Sequence, residues 1–107
     1  MKLDDYLKAI ESGVRGLAID TFGGFSADSI KDNKEFLEKI NNDLERWYKQ
    51  IKDGKLTKED FEWLLRAKRD LFEMHTLEQR GIAVIKINDF KEKVLDLMVD
   101  TAFDMFY

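Results

Sequence analysis

His75 is the single histidine in the chain, and it is the natural place to look for chemistry. Read on one continuous helix, it follows Lys68 by seven residues and precedes Glu78 by three. A lysine, a histidine and a glutamate held in a dry wall could shift one another's proton affinities and move a proton. The simpler reading is a lysine that snorkels outward and a modest His75–Glu78 surface pair near a helix end. Nucleophiles are scarce. There is no cysteine, and Ser12, Ser26 and Ser29 have no neighbours in sequence that suggest activation. Phosphate-binding glycine loops, dinucleotide fingerprints, zinc-protease motifs and calcium loops do not occur. The expectation is a non-catalytic protein with no cofactor and no metal.

Charge gives two further candidates. Asp96, Asp100 and Asp104 recur every four residues near the end of the chain, with Asp89 close to the same face. Like charges at that spacing repel, and near a helix C-terminus they also oppose the helix dipole. Such a row calls for a counter-charge from another helix, a basic partner or a cation. A single row, however, spreads its carboxylates too far along the axis to converge on one metal ion.

The basic residues concentrate in 46–69, which carries a net +4 between two arms of −4 each. Arg46, Lys49, Lys52 and Lys55 near its start, with Trp47 and Tyr48 among them, invite a nucleic-acid reading. An overall charge of −4 and a pI near 5.0 argue against steering toward phosphate. Balance against the acidic arms, within the chain or in head-to-tail packing, is the better expectation.

The last residues, Phe103-Asp104-Met105-Phe106-Tyr107, carry four apolar side chains and no polar tail. Chain ends are usually polar, so this one should dock on the bundle or in a partner. Phe103, Phe106 and Tyr107, the acidic residues Asp96, Asp100 and Asp104, and Trp63 are therefore the candidate partner-binding set. Tyr6 and Phe25 are further candidates.

The elements that must position these residues read as helices. Proline is absent, and 107 residues suit one domain spanning 1–107. Leu3, Leu7, Ile10, Val14 and Leu17 form one helical stripe ending at Gly23-Gly24. Beside it run Ala9, Gly13 and Gly16, small residues that would let a neighbouring helix approach closely. A second helix should start between Ser26 and Ser29, with Ser26 a candidate cap and Phe25 able to staple to Ile30, and run to about Lys52, where Gly54 terminates it. Thr57 then caps a third helix, with Asp60 answering from the third position and Leu56 stapling to Phe61.

That third helix, drawn continuously over 58–80, is apolar on both sides: Trp63, Ala67, Met74 and Leu77 on one, Phe61, Leu65 and Phe72 on the other. Such an arc predicts either the central element of the bundle or a helix that also meets a partner chain. Gly81 fits its exit, with Ile82 packing back on Leu77. The run from Ile82 to Ile87 has strand-like β-branching, and a linker or a strand paired across a dimer is the alternative there. Helical steps through Ala83, Ile87, Phe90, Val94, Leu97 and Thr101 favour one helix over 82–103.

The predicted fold is an all-α bundle of three or four helices around a central antiparallel hairpin. The predicted role is a protein-interaction or structural module, with a homo-oligomer as its expected form. No signal segment or membrane span is visible, which points to the cytoplasm.

Overall fold

A computed structural model describes residues 3–106, and side chains over 3–105. Within that span the protein is an all-α bundle. Its helices are α1 (Leu3–Phe22), α2 (Ser26–Lys39), α3 (Asn41–Lys52), α4 (Lys58–Arg66), α5 (His75–Gln79) and α6 (Val84–Phe106). Two short 3₁₀ turns, Gly23–Phe25 and Arg69–Leu71, complete it. Among the described residues no helix is long and apolar enough to cross a membrane.

The bundle is organised by α1 and α6. The Tyr6 hydroxyl donates to the Met98 carbonyl at one end (2.7 Å), and the Phe22 and Phe90 rings meet edge-on at the other (4.8 Å), so the two helices run antiparallel. Between these points a side chain at Gly13 would collide with Leu97, which explains this one glycine as a site of close approach. Nothing stands near Gly16, so the small-residue line does no packing there. Helix α2 packs on α1, while α3, α4 and α5 all pack on α6. The widest set of neighbours therefore belongs to α6. The expected central hairpin is present as α3, a connection over 53–57 and α4, but it lies against α6 instead of forming the middle of the bundle.

Neighbours on two sides rotate the buried line of α1 to Tyr6, Ile10, Val14, Ala18 and Phe22, with Leu3, Leu7 and Leu17 flanking it half-buried. Tyr6 is thus a core residue, not a partner-facing one.

Helix boundaries follow local chemistry where a cap or glycine marks them. Gly54 (φ 72°) and Gly81 (φ 85°) occupy the left-handed region after α3 and α5. The Ile82 amide returns to the Leu77 carbonyl (3.1 Å), closing the expected motif, and Ile82 packs on the core. The turn over Gly23–Phe25 leads directly into α2, and Ser26 is that helix's first residue, not its cap.

Two expected helices are interrupted. The second bends at Ile40 (φ −106°, ψ 12°), just before Asn41 and Asn42, whose short polar side chains compete with helical backbone bonding. The break in the third is larger. After Arg66 the backbone changes to shorter-range bonding, with Leu71 N–H to Lys68 O and Phe72 N–H to Arg69 O, then extends through Met74 before α5 begins.

On an uninterrupted helix Met74 and Leu77 would point roughly 160–220° away from Phe61. The interruption turns both into the same interior as Phe61, Leu65 and Phe72, and all five are at most 1% exposed. Phe72 stacks on Phe36 (4.7 Å, 8°) and meets Phe90 edge-on (6.4 Å). The two-sided apolar arc is therefore not a feature of this protein. The favoured helix over 82–103 is found as α6, which begins at Val84, and the alternative strand over 82–87 does not form.

Candidate interaction face

The break that recovers Met74 and Leu77 for the core leaves Trp63 behind. Helix α4 is anchored at its start by Thr57, whose Oγ1 accepts from the Asp60 amide (3.1 Å), while the Asp60 carboxylate accepts from the Thr57 amide (3.5 Å). Its inner face buries Phe61 and Leu65, and the Phe61 ring lies beside Trp47 (6.1 Å) and Phe103 (6.2 Å). Trp63 projects from the opposite face and is 74% exposed. Every other aromatic side chain described is buried or half-buried. Ala67, one turn further on, is exposed beside it.

The flank of α4 next to α6 is a charge seam. Lys58 pairs with Asp100 (3.2 Å). Arg66 reaches Glu62 (3.2 Å), Asp96 (3.0 Å) and Glu92. Arg69 Nε lies 2.9 Å from Glu92 as well, though off the hydrogen-bond direction. The bond to Asp100 holds the Lys58 ammonium above its ordinary range, and the bond to Glu92 does the same for the Arg66 guanidinium. The counter-charge that the acidic row calls for thus comes from α4. Asp96 and Asp100, two of the candidate partner-binding residues, are occupied within the chain. Asp104 is exposed and adds to the field at Lys58. Phe103 is half-buried against the core. The Phe106 side chain and Tyr107 lie outside the described residues.

The Lys68, His75 and Glu78 set is not assembled. Lys68 Nζ turns to Asp43 on α3 (3.3 Å), whose carboxyl is held below its ordinary value by Arg46 first and Lys68 second. His75 is 69% exposed and lies between Glu73 (3.4 Å) and Glu78 (3.9 Å). A cavity of about 160 Å³ beside it is lined by Arg69, Glu78 and Lys91 among others, and Lys68 is not part of its wall. A larger groove of about 300 Å³ between α1 and α2 has an apolar floor of Leu7 and Leu37 and an exposed rim of Glu11, Lys34 and Glu38. No titratable groups converge inside it.

The basic tip is also partly spent. Arg46 bonds Asp43 at 2.6 Å. Lys49 and Lys52, in the last turn of α3, and Lys55 beyond Gly54 are exposed and make no ion pair among the described residues. Three unpaired lysines are a smaller electrostatic footprint than the sequence island suggested.

The signal for Trp63 was present in the sequence only as one position on a broad apolar arc. What singles it out is the interruption over 67–74, which no local residue marks. Set against family models, curated proteins and solved structures, the chain has no match.

Proposed function

We propose that this protein is a non-catalytic interaction module of the cytoplasm, which meets a protein partner through the outer face of α4 with Trp63 as the anchor. The observation that carries the reading is the exposure of Trp63, 74% on a helix whose other large apolar side chains face inward. A tryptophan in that position leaves roughly 150–200 Å² of mostly apolar surface in water, or about 4 kcal/mol of unused burial at about 25 cal/mol per Å². Tryptophan is also the side chain most often found at the energetic centre of protein interfaces. The rigid base beneath it supports the same reading. The capped start of α4, the buried Phe61 and Leu65 and the ion-paired seam to α6 fix the helix that carries the indole before any partner arrives, which lowers the ordering cost of binding.

Asp96, Asp100 and Phe103 contribute to this reading as the support of the face and not as its contact surface. A nucleic-acid role would have to rest on Lys49, Lys52 and Lys55 alone, in a chain of net charge −4.

The test is site-specific photocrosslinking in the cells that make the protein, with p-benzoylphenylalanine placed at position 63 and, as a control, at the exposed position Lys31 on α2. A discrete protein adduct at 63 that is missing at 31 is expected. Equal or absent crosslinking at both positions overturns the reading.

A further inference from the structure

The charges around Trp63 are unbalanced in a way that describes what should cover it. The cations beside it on α4 are already engaged: Lys58 with Asp100, and Arg66 with Glu62, Glu92 and Asp96. The anions are less occupied. Glu59 is exposed and makes no ion pair among the described residues, and the Asp60 carboxylate has only its long bond to the Thr57 amide. An exposed indole flanked by unneutralised carboxylates is a receptor for a cation, since the ring face attracts ammonium or guanidinium groups and the carboxylates add to that attraction.

The same end of the molecule carries the complementary group. Lys49, Lys52 and Lys55 form an exposed, unpaired cationic tip. Lys55 lies three residues before α4, and Trp63 lies in that helix's second turn.

Among the described residues no cation of the same chain stands over the Trp63 ring. Two copies can satisfy each other. If α4 of one copy runs antiparallel to α4 of another about a two-fold axis near Glu59, Lys55 of each copy stands opposite Trp63 of the other. A surface that carries both halves of a complementary pair generates a closed two-fold dimer. Resting on the reading of Trp63 as an interaction anchor, we infer that the occupant of this face is a second copy of this chain, held by Lys55 over Trp63 and beside Glu59 in a reciprocal contact.

Sedimentation equilibrium on the purified full chain, from micromolar to millimolar concentration, tests the inference. A reversible monomer–dimer equilibrium is expected. Trp63→Ala should weaken it by about a hundredfold, as the loss of an anchor in both halves implies. Lys55→Glu and Glu59→Lys should each weaken it by about tenfold, and combining the two should recover part of that loss, because the ion attraction returns while the cation over the indole does not. All these positions are exposed, and unchanged circular dichroism and melting temperature confirm that the variants fold. A chain that stays monomeric throughout, a dimer indifferent to Trp63→Ala, or a double variant no better than the single ones overturns the inference. Should the chain stay monomeric while position 63 crosslinks to a different protein in cells, self-association falls and the interaction reading stands.

Discussion

Replacing Asp32 by asparagine should stabilise the protein at neutral pH and do much less at low pH. Asp32 lies on α2, and its Oδ2 is buried with no hydrogen-bond partner among the described residues. Burial, reinforced by the neighbouring carboxylates Glu35 and Asp28, pushes its pKa up from 3.8 to about 6, against smaller opposing pulls from Lys31 and His75. The folded chain therefore holds this proton more tightly than the unfolded chain. The stabilising effect of protonation is complete below about pH 4 and is lost as pH rises through 6. At 1.36 kcal/mol for each tenfold change in proton affinity, the penalty for ionised Asp32 has a ceiling of about 3 kcal/mol. The residue is still partly exposed. Solvent screening brings the expected gain from Asp32→Asn to about 1–2 kcal/mol at pH 7.5. Asparagine can set its carbonyl oxygen where Oδ2 lies and turn its amide outward, so no new buried donor is created.

Urea unfolding of both proteins at pH 4.5 and 7.5 is the assay. A gain of 1 kcal/mol moves the midpoint by about 0.3–1 M for typical denaturant slopes. The midpoint difference should be large at pH 7.5 and shrink at pH 4.5. A variant less stable than the parent at pH 7.5, or a gain independent of pH, refutes the argument that an ionised, unpartnered carboxylate strains α2.

Two other substitutions probe the packing of α1. Gly16→Ala should stabilise by roughly 0.5–1 kcal/mol, since the position is exposed, helical and open around its missing Cβ, while Gly13→Ala should gain little or nothing because Leu97 must first move aside; paired thermal melts will show the contrast. Tyr6→Phe should cost about 1 kcal/mol by removing the buried bond to Met98 O, measurable as a lower urea midpoint with an unchanged slope.

Much of the fold was legible because it is written in local signals. The start of α4 follows from Thr57 and Asp60 alone, a reciprocal cap three residues apart that needs no tertiary help. Gly54 and Gly81 end their helices because a backbone with positive φ strains any residue with a Cβ. For 82–103, the helical period was a better guide than the β-branched composition, and Ile85, which lies off the line through Ile87, Phe90 and Val94, is left 81% exposed. The charge complementarity of α4 and α6 was visible only as two unmatched groups. Their pairing through Lys58, Arg66, Asp96 and Asp100 requires the two helices to lie side by side.

Sequence alone determined the helical class, most helix ends and the identity of most core residues, because backbone caps, glycines and apolar periodicity act within a few residues of one another. Tertiary packing decided where the third helix stops being a helix. Between Ala67 and Met74 there is no glycine or proline, and each residue could continue the helix. The chain gives up several backbone bonds there because that frees Phe72, Met74 and Leu77 to enter one interior with Phe36, Phe90 and Leu65, a gain visible only when α2 and α6 are present. The same turn in the chain excludes Trp63, so the residue that marks the candidate face was selected by long-range packing and not by its own neighbourhood.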